Sequence, residues 1–164
     1  GCWGQKRRGE KKCAWSKEAI INGKFTLGLD KNSGHVQRSG MYHYHGIPEG
    51  LVEKLKTENS FEDLTKIGIA ADGFGIYVSN DNKFQASYKL KQGKRPNGPL
   101  GTYDGNYTQD FEFVYDSGDL DKCNGINFEK KYIYIVTKKF PYIPRCWLGK
   151  PDRSFLKRPD NRNN

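Results

Sequence analysis

The sequence contains no long hydrophobic run, and its apolar content is low. Hydrophobic residues make up 35% of the 164 residues, and the mean hydropathy is −0.88. A membrane-spanning helix needs roughly 20 consecutive apolar residues, so no membrane span is predicted. The sequence also lacks a Cys-x2-Cys pair, the spacing that is typical of structural zinc sites.

Motifs for specific nucleic-acid recognition are missing as well, although the chain is basic. There is no RNP-type aromatic motif and no basic helix with the character of a recognition helix. The net charge is +9, and basic residues concentrate in Lys6–Arg8, Lys91–Arg95 and Lys150–Arg162. Such a surface attracts anionic polymers, namely nucleic acid, anionic glycans or lipid headgroups. Basic ends are more typical of solvated tails or assembly contacts than of segments that recognise a specific nucleic-acid sequence.

The four cysteines are grouped near the two ends of the chain. Cys2 lies close to Cys13, and Cys123 lies close to Cys146. Three pairings exist, and proximity favours Cys2–Cys13 and Cys123–Cys146; four reduced thiols are the alternative. Two disulfides indicate an oxidising compartment, so we expect a secreted, extracellular or periplasmic protein. The sequon at Asn106 is compatible with secretion as a glycosylation site.

All three histidines lie within eleven residues, at His35, His43 and His45. Alternation through Met41–His45 predicts a strand in which His43 and His45 share one face. Gly40 occupies the position where a three-residue hairpin loop needs a left-handed residue. That loop places His35 opposite His43, with Val36 opposite Tyr42 and Gln37 opposite Met41, so that all three imidazoles share a face. A two-residue loop would put His35 on the other face.

Three converging imidazoles form a facial ligand set for a divalent metal ion, with zinc or copper favoured and non-haem iron also compatible. An oxygen ligand could complete the set, and Asp30, Asp72 and Asp104 are candidates. Asp72 is preferred because it follows a predicted strand into an Asp-Gly turn. Two alternatives remain: the histidines pack in an aromatic-rich core, or one of them is a general base without metal.

The remaining patterns predict a mainly β protein (β-rich α+β), a single antiparallel-sheet domain with one short helix, long loops and two disulfides. Pro48–Lys56 is the predicted helix, and Phe61–Leu64 is expected to add a helical turn. The expected strands are listed from the amino end: 24–29, the histidine hairpin, a buried strand at 67–71, then 74–78, 88–90, 111–115 and 132–136. Residues 1–24 are expected to form a basic N-terminal segment with its own disulfide, 25–149 the domain, and 150–164 a polar basic tail.

The chain resembles the YHYH domain family at Tyr42-His43-Tyr44-His45 and in further blocks across 25–149. These blocks include Leu27–Asp30, Gly34–Gln37, Ile69–Phe74, Asp119–Gly125 and Phe140–Cys146. The resemblance implies an exported protein and a fold, but no settled enzymatic activity. Many relatives carry a second Tyr-His-Tyr-His-like strand; here it reads Tyr132-Ile133-Tyr134-Ile135, which offers no imidazole.

Three functions follow as hypotheses, and the sequence does not decide whether the protein is an enzyme. The first is an exported metal-binding domain held by the histidine hairpin. The second is a non-catalytic extracellular structural or adhesion subunit that assembles with copies of itself or with other subunits. The third is a metal-dependent nuclease or other hydrolase. The third is weakened because the helix after the hairpin offers Glu49 and Glu53 rather than His or Asn.

Overall fold

The structure is a computed structural model that describes residues 14–37, 40–56 and 63–155, together with the strand backbone at 2–3 and 60–61. It is mainly β, and the described residues contain one α-helix, α1 (Glu49–Leu55), and two short 3-10 turns, Thr108–Asp110 and Arg153–Phe155. The strands are β1 (Cys2–Trp3), β2 (Trp15–Ser16), β3 (Ile20–Ile21), β4 (Lys24–Phe25), β5 (Gly34–Val36), β6 (Tyr42–Tyr44), β7 (Ser60–Phe61), β8 (Leu64–Ile69), β9 (Gly75–Ser79), β10 (Tyr88–Leu90), β11 (Phe111–Phe113), β12 (Gly125–Phe128) and β13 (Lys131–Val136).

The largest sheet has five strands in the order β12-β13-β9-β8-β7. β13 runs parallel to β9, with Tyr134 opposite Ile76, while the other neighbours are antiparallel. The remaining strands form four two-stranded sheets: β1–β2, β3–β4, β5–β6 and β10–β11. The prediction of a single antiparallel sheet is therefore wrong, because two segments far apart in sequence pair in parallel through the centre of a mixed sheet.

Two clusters of buried side chains form the core. One lies on the five-stranded sheet and contains Leu64, Leu120, Ile133 and Ile135. The other contains Ile20, Phe140 and Tyr142, and Phe140 stacks on Phe111 with ring centroids 3.8 Å apart. Each buried aromatic residue removes a large apolar area from water, so a few such side chains suffice to form a core in this polar sequence.

Most local predictions are confirmed. The helix, the strands at 88–90 and 132–136 and the shortened strand at 111–113 lie where the patterns place them. The predicted strand over 24–29 ends at Phe25 because Leu27 and Gly28 adopt positive φ angles of 57° and 69° and turn the chain.

Two local predictions are wrong. Phe61 and Leu64 belong to the paired strands β7 and β8 rather than to a helical turn. The strand expected to be buried over 67–71 leaves Ile69 62% exposed. Among the described residues, β7 pairs with β8 only at Leu64 and Thr65, so the rest of β8 forms an edge of the described sheet. β8 also has a bulge at Lys66 and Gly68.

One of the two predicted disulfides is present. Cys123 and Cys146 are bonded, with their Cα atoms 4.8 Å apart; the Cys2–Cys13 pairing falls outside the described residues. The N-terminal segment contacts the rest of the chain, since Lys17 forms an isolated bridge with Tyr107. The division at residue 24 stays a prediction. Among the described residues, no helix is long and apolar enough to cross a membrane.

Candidate metal centre

The histidine hairpin has the predicted register. β5 and β6 pair with His35 opposite His43 and Val36 opposite Tyr42. Beyond them, the backbone N–H of Gln37 donates to the carbonyl of Met41 at 3.0 Å. Gly40 has a φ of 83° and closes the loop by donating from its N–H to Gln37 O at 2.8 Å. The left-handed glycine thus selects the register that places the imidazoles together.

The three imidazoles converge through their Nε2 atoms. His45 Nε2 lies 2.9 Å from His43 Nε2 and 3.3 Å from His35 Nε2. One potential ligand atom from each of the three lies within 4.8 Å of the others, and all three residues are half-buried. Zinc–imidazole bonds of about 2.0–2.1 Å at tetrahedral angles separate nitrogen ligands by roughly 3.3 Å. The observed spacing is therefore close to that of a tetrahedral metal site.

The other ring nitrogens of two histidines face backbone carbonyls. His35 Nδ1 lies 2.9 Å from Leu27 O, and His43 Nδ1 lies 3.4 Å from Met41 O. A carbonyl oxygen can only accept, so Nδ1 of His35 carries the proton and donates. The neutral ring then presents the Nε2 lone pair to the cluster, which is the arrangement that metal-ligating histidines use. The turn at Leu27 and Gly28 aims the carbonyl at His35.

The electrostatics also favour the neutral form of His45. Burial lowers the pKa of His45, and proximity to His43 and His35 lowers it further. A neutral imidazole is the form that binds a metal ion. Two Nε2 lone pairs at 2.9 Å repel each other, so either a bound cation or the N–H proton of one neutral ring lies between His43 and His45.

The structure brings none of the candidate aspartates into the cluster. Asp72 accepts from the Tyr134 hydroxyl at 2.5 Å and from Gly149 N at 3.1 Å. Asp104 is paired with Arg95. The described part of the chain therefore places the three histidines together without a carboxylate, which leaves a further coordination position for water or another ligand.

The side chains of the predicted glycosylation sequon are engaged with other residues. Asn106 Nδ2 donates to Asp104 Oδ2 at 2.7 Å. The Thr108 hydroxyl donates to Glu18 Oε1, and Glu18 is also paired with Arg145 at 2.9 Å. Glycosylation of Asn106 remains a prediction, and it would require the amide to leave Asp104.

Asp30, the remaining candidate aspartate, has a structural role that was not predicted from the sequence. Asp30 Oδ1 accepts from the backbone N–H groups of Asn32 and Gly34 at 2.8 and 3.1 Å. Asp30 Oδ2 accepts from the Tyr42 hydroxyl at 2.7 Å. Its carboxylate therefore connects β5 to β6 on the face opposite the histidines. We call this arrangement the Asp30–Tyr42 clamp.

The same arrangement occurs a second time, around β12 and β13. Asp121 Oδ1 accepts from Cys123 N and Gly125 N at 2.8 and 2.9 Å, and Asp121 Oδ2 accepts from the Tyr132 hydroxyl at 2.8 Å. The signal in the sequence is a repeat: Leu29-Asp30-Lys31 precedes Gly34 by the spacing at which Leu120-Asp121-Lys122 precedes Gly125.

The backbone repeats together with the clamp. Ser33 and Asn124 both have positive φ angles, 59° and 64°. His45 N donates to Ser33 O at 2.7 Å, and Ile135 N donates to Asn124 O at 2.9 Å. The tyrosine pairs also match, because rings 42 and 44 lie 5.3 Å apart and rings 132 and 134 lie 5.1 Å apart, both at 89°. The two hairpins are structural copies of one unit.

The copies differ at the positions of the histidines. His35, His43 and His45 correspond to Ile126, Ile133 and Ile135. Ile133 and Ile135 are 6% and 1% exposed and belong to the core, with Ile126 packed against them. The same scaffold therefore presents imidazoles in one hairpin and aliphatic core side chains in the other.

Comparison with known proteins identifies one family. A family model described as YHYH protein matches residues 1–149. No curated protein and no solved structure matches the chain.

Proposed function

The chain belongs to the YHYH protein family, and we propose that it is a metal-binding protein whose ion is held by His35, His43 and His45. The observation that carries this proposal is the convergence of three Nε2 atoms, two of them 2.9 Å apart. The proton at His35 Nδ1 is directed to Leu27 O, so that ring is oriented for coordination before any ion binds.

The donor set favours zinc or copper. Imidazole nitrogen suits both ions, whereas calcium and magnesium prefer oxygen ligands. Three protein nitrogens leave a coordination position for water or another ligand, as in sites that perform chemistry. We assign no reaction, because no aspartate, glutamate or cysteine of the described chain joins the three histidines in the cluster.

The second hairpin argues against packing as the reason for the histidines. Its Ile126, Ile133 and Ile135 show that this scaffold accommodates aliphatic side chains at all three positions. Apolar residues at half-buried positions stabilise a fold more than imidazoles do. Histidines at these positions of the first hairpin are therefore better explained by ligand binding than by stability.

Metal analysis tests the proposal. Protein purified without a His tag, loaded with zinc or copper and dialysed is expected to retain one ion per chain. His43→Ala should lose it, while Tyr44→Phe, which changes the opposite face of the same strand, should retain it. A wild-type chain that binds neither ion under any loading condition would refute the proposal.

Export is part of the proposed setting. The Cys123–Cys146 disulfide is typical of proteins in oxidising compartments. We place the protein outside the cytosol, in the secreted, extracellular or periplasmic space. Detection of the chain in the culture medium or periplasm of its producing cell would support this, and an exclusively cytosolic location would contradict it.

A second candidate function, a structural subunit that assembles with copies of itself, is favoured by one difference between the hairpins. Tyr134 is fully buried, and Phe74 packs against it with ring centroids 6.3 Å apart. Its counterpart Tyr44 is 39% exposed, and Tyr42 and Val36 beside it are 43% and 61% exposed. Sedimentation velocity tests this: wild-type oligomers that dissociate in Tyr44→Ser support it, and a strict monomer at all concentrations contradicts it.

The nuclease hypothesis gains no support from the described residues. α1 follows the hairpin, but Glu49 and Glu53 on it face solvent, and neither joins the histidine cluster.

A further inference from the structure

We propose that Asp30 and Tyr42 are positioning residues that set the geometry, and hence the affinity and coordination, of the three-histidine centre. This inference rests on the proposed metal-binding function. Neither residue touches the cluster itself. They act on the backbone that carries two of its members, since Asp30 binds the N–H of Gly34, which precedes His35, and Tyr42 precedes His43.

The contacts show how the clamp restrains the hairpin. One carboxylate accepts three hydrogen bonds, two from β5 and the turn before it and one from the Tyr42 ring on β6. The ring lies directly over Gly34, where a Cβ atom would fall 2.4 Å from the Tyr42 hydroxyl oxygen. The clamp thereby sets the separation of β5 and β6 beside the His35–His43 pair, where Gly34 lies opposite Tyr44.

Such a restraint matters because the short β5–β6 hairpin pairs with no other strand in the described part of the chain. A two-stranded hairpin is marginally stable in water on its own. The second hairpin has β9 beside β13, so its geometry is supported by the sheet as well as by Asp121 and Tyr132. Loss of the clamp should therefore affect the metal-binding hairpin more than its copy.

Paired substitutions test the inference, because the copy supplies the control. Tyr42→Phe deletes the hydroxyl of the clamp and leaves the ring, while Tyr132→Phe deletes the equivalent hydroxyl of the copy. Groups that orient metal ligands typically change affinity by about 10–100-fold when they are removed. We expect Tyr42→Phe and Asp30→Asn each to weaken zinc binding by at least roughly ten-fold, with Tyr132→Phe within about two-fold of wild type.

The visible absorption spectrum of the cobalt-loaded protein gives a readout that a purely structural role would not change. Altered band positions are expected in Tyr42→Phe and Asp30→Asn but not in Tyr132→Phe, even if the latter lowers the melting temperature. Wild-type affinity and spectrum in both clamp variants would overturn this inference and leave metal binding intact. Failure of the wild-type chain to bind any ion would instead refute the proposed function.

A separate cavity carries a second inference, and we infer that it binds a small organic anion. The cavity has a volume of about 510 Å³, within the range typical of ligand sites. Its lining includes Lys89, Lys138 and Lys139 but no aspartate or glutamate. Among the described residues, none of these lysines takes part in an ion pair.

The other lining groups suit a polar ring that carries the charged group. Asn82 and Gln85 contribute side-chain amides, and Tyr88 and Phe84 contribute partly buried aromatic rings. Amides can bond hydroxyls and ring faces can contact the carbon skeleton, while the ammonium groups attract the anion. A carboxylated sugar unit has all three features.

Titrations with glucuronate, glucose and inorganic phosphate, followed by amide chemical shifts, test this second inference. Glucuronate is expected to bind and glucose to bind at least roughly ten-fold more weakly. The double change Lys138→Gln and Lys139→Gln should weaken glucuronate binding similarly, whereas Lys54→Gln, which does not line the cavity, should not. This second inference would be overturned if glucose bound as tightly as glucuronate, or if Lys54→Gln weakened binding as much as the double variant. Binding of phosphate alone, or no binding at all, would overturn it as well.

Discussion

His43 Nε2 on β6 and His45 Nε2 just beyond the end of β6 lie 2.9 Å apart, and His35 Nε2 lies 3.3 Å from His45 Nε2. Residues i and i+2 of a strand share a face, but their rings meet only if both bend toward a common point. The cross-strand partner His35 supplies that point. The result is a compact nitrogen cluster built almost wholly by one hairpin.

Replacing the cluster with the side chains of its copy should separate folding from metal binding. The variant His35→Ile, His43→Ile, His45→Ile is expected to fold, to bind no zinc, and to unfold with a free energy about 1–3 kcal/mol higher than that of the metal-free wild type. Urea unfolding with chelator present measures this. A variant that fails to fold would show that the histidines serve the fold.

The metal-free protein should become less stable as the pH decreases below about 6.5, the ordinary pKa of histidine. Burial lowers the pKa of His45 from 6.5, so the unfolded chain binds more protons than the folded chain in the window below that value. The contribution of neutral His45 to the free energy of unfolding is complete above pH 6.5 and is lost as the pH decreases toward the pKa of His45 in the folded chain. Urea unfolding between pH 5 and 7.5 should show a smaller slope in His45→Asn. An unchanged slope would contradict the assignment.

Metal release should follow the same direction of pH change, because protonation of an imidazole competes with coordination. Zinc-loaded protein dialysed at pH 5 is expected to lose ions that it retains at pH 7.5. Metal content by mass spectrometry measures the loss. Retention at pH 5 would indicate ligands other than the histidines.

Gly34 should be intolerant of a side chain, since its Cβ would fall 2.4 Å from the Tyr42 hydroxyl oxygen. Gly34→Ala is expected to displace Tyr42 from Asp30, to destabilise the fold by about 1 kcal/mol or more, and to weaken zinc binding. Gly68→Ala is the matched control, because no atom lies within 4 Å of a Cβ built there. Similar zinc affinities for the two variants would argue against the clamp.

A buried ion pair outside the site offers a test of the fold. Arg95 binds both carboxylate oxygens of Asp110 at 2.7 Å, and their side chains are 3% and 0% exposed. Removal of one partner from such a pair costs about 3–5 kcal/mol. Asp110→Asn should therefore lower stability far more than Asp116→Asn at an exposed position. Thermal unfolding compares the two variants, and equal melting temperatures would contradict a buried Arg95–Asp110 ion pair.

Interactions between residues close in sequence were predictable. The register of the histidine hairpin depends on Gly40 and on alternation over Met41–His45, and both act within a few residues. The helix start at Pro48 followed from a pattern of similarly short range. The pairing of Cys123 with Cys146 followed from their separation of only 23 residues along the chain. The Leu-Asp-Lys repeat was also present in the sequence, but its meaning depends on contacts that place Tyr42 on Asp30 and Tyr132 on Asp121.

The sequence by itself therefore determined the three-histidine cluster, because one hairpin supplies all three imidazoles and period-two geometry places them on one face. Only the tertiary structure decided what surrounds that set. It turned Leu27 O toward His35, engaged Asp72 with Tyr134 and Gly149, and paired β13 in parallel with β9. These contacts join segments whose proximity depends on how the whole chain packs, and no local pattern encodes that.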